Sequence, residues 1–209
     1  MRALIDPDSV AELFDSGIDA VLEQAALLDA TGWEAAACGE WTAAETARHV
    51  LAVSRWYHSW LDRALAGDVT RPFDSADMDR HNAEELSELS RLSGIEAATE
   101  FAITARDYLT RVIENWDLPY AYPYGNVTAG LHAGVAATEW HLHAWDLSTV
   151  TGHIHDPKNA KGLFLAAGAC VAAAEGGRKG ALLARATPLF ANRRPWPTLV
   201  TRSGRTPVG

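Results

Sequence analysis

The stretch TEWHLHAWDLSTVTG, residues 138–152, decides how this chain folds. Glu139 and His143 stand four residues apart in it, and positions i and i+4 share one face of a helix. One more nitrogen from a facing helix would complete a His, Glu, His set around a divalent cation. His49, far upstream in WTAAETARHVLAV (residues 41–53), is the candidate. Three protein ligands leave at least one coordination position for water or substrate, the arrangement of a catalytic rather than a structural metal. The expectation is an all-α protein, a bundle of helices with a metal site in its core.

Helix start and stop signals extend that reading outward. Asp6 with Pro7 opens a first helix that runs through VAELFDSGIDAVLEQAALLDA and stops at Gly32. Thr42 and Glu45 form a capping box for a second helix, with His49, Val53, Trp56 and Trp60 on its inner face, His58 turned away, and an end near Gly67. A polar crossover, GDVTRPFDSADMDR (residues 67–80), leads to a second box, Asn82 and Glu85, and a short helix halted by Gly94. Ser93 and Glu96 open the next helix, through Trp116, so helix three reads as broken or kinked. After the turn-rich LPYAYPYGN, Asn126 is the expected cap of helix four, which carries the decisive stretch and ends at Gly152. Asp156 with Pro157 opens a fifth, alanine-rich helix that ends around Gly176. No segment reads as a strand before the tail, where PTLVTRS is either extended or loop. The sum is a four-helix bundle with a long crossover between helices two and three, plus a C-terminal helix and tail. Its expected division is a metal-binding bundle over residues 1–155, with residues 156–209 as a helix and extended tail packed on it.

Counting around helix four at about 100° per residue puts His132, Glu139, His143 and Asp146 on one stripe and His141 roughly opposite. His132 lies two turns from Glu139, about 10 Å along the axis, too far to share an ion but able to line the pocket mouth. Asp146, one turn past His143, is a candidate acceptor for the ring N–H of a ligating histidine. Trp56, Trp60 and Trp140 are either pocket walls or plain core. Arg205 either folds back to bind an anionic substrate or thiol group or is a solvated tail arginine. Cys38 and Cys170 are not expected to be nucleophiles: the first has no histidine beside it in sequence, and the second sits in an alanine-rich helix as a small hydrophobe.

Composition bounds the function. The chain has 209 residues, 48% of them hydrophobic, and no apolar run near the ~20 residues that span a bilayer. MRALIDPDSV lacks the basic and apolar regions of a signal peptide, and two cysteines make no disulfide framework, so the expectation is a cytoplasmic protein with reduced thiols. A formal charge of −9 without a basic cluster argues against nucleic acid or membrane as partner, although the segment from Arg178 to Arg205 is locally cationic. A small-molecule substrate is the expected partner, and unpaired helix faces leave room for a homodimer.

EWHLHAWDLSTVTG resembles the E-x3-H-x-W-D-L signature of the DinB-like superfamily branch typified by mycothiol-dependent maleylpyruvate isomerase, and CGEWTAAETARHVLA resembles that family's upstream block from C-x-x-W-T to H-V. The resemblance covers residues 1–155 and implies divalent-metal ligands at His49, Glu139 and His143, with Trp41 and Thr42 at the opening of one helix and Trp145 and Asp146 after the last ligand. WPTLVTRSGRTP further resembles the closing segment of an uncharacterised subfamily that ends in G-R-x-P. The prototype carries a second domain where this chain has only residues 156–209, so maleylpyruvate isomerisation itself does not carry over. The resemblance implies a cation, zinc first and otherwise nickel, iron or manganese, that holds mycothiol or another low-molecular-weight thiol as thiolate for S-transfer or cis/trans isomerisation of a small electrophile. Two other classes stay open. One is a metal-dependent hydrolase, for which His132 or Asp146 would be the general base; the other is a non-catalytic metal-binding or stress-response bundle, which exposed tryptophans would favour.

Overall fold

A computed structural model describes residues 6–191 and 195–206. Four long helices form its centre: α1 (Pro7–Leu27), α3 (Ala43–Leu65), α5 (Gly94–Glu114) and α6 (Ala129–Thr151). The local signals act as expected at most of their ends. The Asp6 carboxylate accepts the Ser9 N–H at 3.0 Å, and Pro7 fills the first helical position, where no N–H is required. Thr42 and Glu45 cap each other, at 3.1 Å from the Glu45 N–H and 2.8 Å from the Thr42 N–H, and Ser93 and Glu96 repeat the device. Gly152, at φ 73°, closes α6 in the left-handed conformation.

α1 packs on α6 and α5, and α3 packs on α5 and α6, so the consecutive helices α1 and α3 sit across a diagonal of the bundle. The core between them is Phe14, Ile18, Leu51, Leu61, Phe101, Tyr108, Trp140 and Leu147, all fully buried. α1 and α6 meet at Gly17, where an added Cβ would lie 2.8 Å from the Trp140 Cβ and 3.3 Å from the Ala137 carbonyl oxygen. Both neighbours are close to or part of the α6 backbone, so they cannot rotate away. Gly17→Ala is therefore expected to cost about 1–3 kcal/mol in urea unfolding despite its better helix propensity; an unchanged or higher midpoint would show that the two helices are not in contact there.

Several elements differ from the sequence reading. The first helix ends at Leu27, not Gly32, because Asp29 caps a separate short helix, α2 (Ala30–Trp33), through the Gly32 N–H at 2.7 Å. The crossover helix α4 (Met78–Glu88) begins four residues before the Asn82 and Glu85 pair and stops before Gly94. Glu85 is engaged elsewhere, accepting the Trp56 Nε1–H at 2.8 Å, so no box forms. LPYAYPYGN is not a plain turn: β3 (Pro119–Tyr122) and β4 (Gly125–Thr128) form a hairpin, Asn126 pairs with Ala121, and Thr128 caps α6 instead. A second small hairpin, β1 (Ala36–Cys38) with β2 (Trp41–Thr42), precedes α3.

After the bundle, α7 (Ala160–Glu175) starts at an Asn159 cap rather than at Asp156 and Pro157, and Gly176 ends it as expected. α8 (Gly177–Phe190) and α9 (Pro195–Arg202) follow, so PTLVTRS is helical, neither extended nor loop. Pro195 and Pro197 both fall in the first turn of α9, where a missing N–H costs nothing. α7 lies on α6, α8 and α9 lie on α7, and Trp196 and Val200 are buried.

Candidate metal centre

His49 rises from the second turn of α3, and Glu139 and His143 from the middle of α6, the helix facing it. His143 stands beside each of the other two, its ring centroid 4.9 Å from that of His49 at 72° and its Nε2 3.6 Å from a Glu139 carboxylate oxygen, but the three do not offer ligand atoms all within 4.8 Å of one another. Trp41 of β2 packs on the other face of His49, with centroids 4.7 Å apart. The His49 ring is buried, and neither of its nitrogens makes a hydrogen bond to any described residue.

The opposite edge of His143 is occupied. Its Nδ1 lies 2.9 Å from Asp146, as the one-turn spacing predicts, and Asp146 is in turn held by Arg205 through Nε and Nη2, each at 2.6 Å. Arg205 is thus not a solvated tail arginine. The turn after α9 brings it back between α6 and β1, where its Nη2 also lies 3.4 Å from His143 Nδ1 and 3.7 Å from Cys38 Sγ. Pro207, the last member of the G-R-x-P motif, lies outside the described residues. Cys38, His143 and Asp146 offer ligand atoms all within 4.8 Å of one another, so this cluster is able to coordinate a metal ion. The Arg205 guanidinium already touches all three atoms, and an ion there would have to displace it. Cys38, set aside in the sequence for want of a nearby histidine, has one in space.

The charges follow from these contacts. Burial lowers His49, and the neighbouring His143 lowers it further, to about 3, so His49 is a neutral imidazole with lone-pair capacity. For His143 burial acts downward too, but the Asp146, Cys38 and Glu139 contacts outweigh it and raise the group well above the ordinary histidine value. Burial raises Asp146, yet the hydrogen bonds from Arg205 and His143 bring it down to about 2. Burial also raises Glu139, and its hydrogen bond with His143 and the nearby charges leave it lower than usual. The neutral His49 imidazole, two carboxylates and a guanidinium therefore surround His143, whose protonated form the carboxylates favour.

His49 and Glu139 border a cavity of about 210 Å³ enclosed by α3, α4, the β3–β4 hairpin and α6. Trp56 and Trp60, stacked at 6.1 Å and 20°, form one wall. Trp140 does not: it is fully buried core between Phe14 and Phe101. His132 lines the cavity as expected, but as floor rather than mouth, since it is 1% exposed. Burial lowers it to about 3, which leaves it a poor base at neutral pH. Asp146, locked by Arg205, is equally unavailable for that role. His141 faces away as the helix count requires, bonding the Leu13 carbonyl at 3.1 Å and His155 at 2.8 Å. Cys170 is buried against the Tyr122 hydroxyl, with its thiol pushed up to about 11, so it remains a small hydrophobe. None of the eight tryptophans is exposed, which removes the feature that would have favoured a docking module.

Among the described residues no helix is long and apolar enough to cross a membrane. No protein-family model, no curated protein and no solved structure matches this chain.

Proposed function

We propose that this chain is a divalent-metal-binding bundle of DinB-like architecture, in which His49, Glu139 and His143 hold the ion and the open side serves thiol-dependent S-transfer or isomerisation of a small electrophile. The observation that carries this reading is the state of the two histidines. His143 is bonded through Nδ1 to Asp146 and its Nε2 faces Glu139, where an ion would replace the ring proton, and His49 stands beside it neutral, on the cavity wall, with no hydrogen bond to a described residue. A neutral imidazole that borders a cavity and has no protein partner keeps a nitrogen lone pair for an ion.

Asp146 fixes the tautomer and orientation of His143, Arg205 holds Asp146, and Trp41 wedges His49 against α6. When bound, a cation of the zinc, nickel, iron or manganese type would supply Lewis acidity, keeping a low-molecular-weight thiol such as mycothiol ionised near neutral pH. The chain's share is to exclude water with the Trp56 and Trp60 wall and to leave the cavity side of Glu139 clear for the second reactant.

A second placement rests on the Cys38, His143 and Asp146 cluster, with Arg205 withdrawn. The first is preferred because a guanidinium already neutralises that cluster, whereas His49 borders the cavity without a hydrogen bond to any described residue.

Cobalt-loaded protein tests the functional reading. Addition of a small thiol is expected to produce a sulfur-to-cobalt charge-transfer band that is absent in His49→Ala, while Cys38→Ser retains it. A bound cobalt whose spectrum no thiol changes would overturn the thiol chemistry and leave metal binding alone.

A further inference from the structure

The cavity carries polar atoms that the metal reading does not use, and all of them are uncharged. Asn82 Oδ1 of α4 is buried in its lining without any hydrogen-bond partner. His132, on its floor, is bonded at Nδ1 alone, to the Tyr108 hydroxyl at 2.9 Å, and its Nε2 makes no hydrogen bond to any described residue. The phenol is the stronger acid and the imidazole the stronger base, so the Tyr108 O–H donates to Nδ1 and the ring keeps its own proton on Nε2. The floor therefore offers an N–H donor and the α4 wall a carbonyl acceptor. Burial keeps His132 neutral across the physiological range, and among the described residues no lysine or arginine lines the cavity and Glu139, at the metal end, is its one carboxylate. Around these groups stand the faces of Trp56, Trp60, Tyr122 and Tyr124.

We infer that this cavity selects an uncharged, flat ligand group carrying both an acceptor and a donor, an amide being the simplest, with its carbonyl oxygen accepting from His132 Nε2–H and its N–H donating to Asn82 Oδ1. His132 is then the residue that determines which substrates enter, positioned by Tyr108, and not a base. The physical ground is the asymmetry of buried polar groups: a ligand that satisfies Asn82 and His132 recovers hydrogen bonds left open in the free protein, while a carboxylate would lose its hydration with no cation to meet it and would face Glu139. The inference deepens the proposed function by naming the substrate class of the same site, but it does not need the metal.

The test uses three probes of one shape, benzamide, benzoate and toluene, titrated by protein-observed NMR into the metal-free full chain. Benzamide is expected to bind at least about tenfold more tightly than either of the others. His132→Phe should bring benzamide to the level of toluene, and His132→Gln, which keeps an amide donor, should restore part of the difference. Asn82→Leu, on the half-exposed crossover helix, gives a second readout if the buried histidine variants do not fold, and it should weaken benzamide while sparing toluene. Benzoate binding as well as benzamide, or benzamide binding unchanged in Asn82→Leu and His132→Phe, would overturn the inference. Because the protein is metal-free throughout, a failure of the metal reading leaves these outcomes unaltered.

Discussion

His143→Ala is expected to lower zinc affinity by more than about 100-fold, since loss of a partner behind a ligand alone costs about 10–100-fold. His143 is the pivot of the site: its Nε2 faces Glu139, its ring lies edge-on to that of His49, and its Nδ1 is fastened to Asp146. His49→Ala and Glu139→Ala should lose affinity to a similar degree, each removing one donor from an open three-ligand set. Asp146→Asn should fall in the smaller range, because the amide can still meet Nδ1 but no longer holds the Arg205 pair. Cys38→Ser separates the two placements: within about threefold of the parent if the ion sits on the Nε2 side, and a loss as deep as His143→Ala if it sits among Cys38, His143 and Asp146. Competition titrations against a chromophoric chelator give all five numbers.

Arg205→Met is the second large effect, and it acts on stability. The Asp146 side chain is 1% exposed and Arg205 14%, so the pair is desolvated, and two hydrogen bonds at 2.6 Å join them. Removing one member of such a pair leaves a buried charge uncompensated, at a cost of about 3–5 kcal/mol. That is a large fraction of the stability of a typical domain, about 5–15 kcal/mol. The double replacement Arg205→Met with Asp146→Leu removes both charges and is expected to recover most of the loss. Urea unfolding of the parent, Arg205→Met, Asp146→Leu and the double variant measures the coupling; a single Arg205→Met change within about 0.5 kcal/mol of the parent would mean that the tail does not close over the bundle in solution. The latch joins residues 59 positions apart, so the last described turn of the chain takes part in holding α6 at the ligand position.

What the sequence made legible was local. Asp6 with Pro7, Thr42 with Glu45, Ser93 with Glu96, and Gly152 act within three or four residues of themselves, and each stands where it was placed. The Asn82 and Glu85 pair has the same spacing and failed, because the indole of Trp56 on another helix claims the carboxylate. The hairpin at 119–128 was hidden by its brevity: four-residue strands rich in proline, glycine and asparagine have no periodicity to detect. α9 was hidden by its β-branched residues and two prolines, which disfavour a helix unless packing against α7 decides the matter. The helix faces of His49 and of Glu139 with His143 were legible by periodicity, but joining them into one site also needed the resemblance. The approach of Cys38 and Arg205, 167 residues apart, could not, since no pattern near either residue points to the other.

The most direct test of the account is zinc K-edge X-ray absorption on the zinc-loaded protein without added thiol. An ion held by His49, Glu139 and His143 has a first shell of nitrogen and oxygen at about 2.0–2.1 Å and no sulfur, unchanged in Cys38→Ser. A zinc–sulfur distance near 2.3 Å that disappears in Cys38→Ser would place the ion on the Arg205 side of His143 and contradict that assignment.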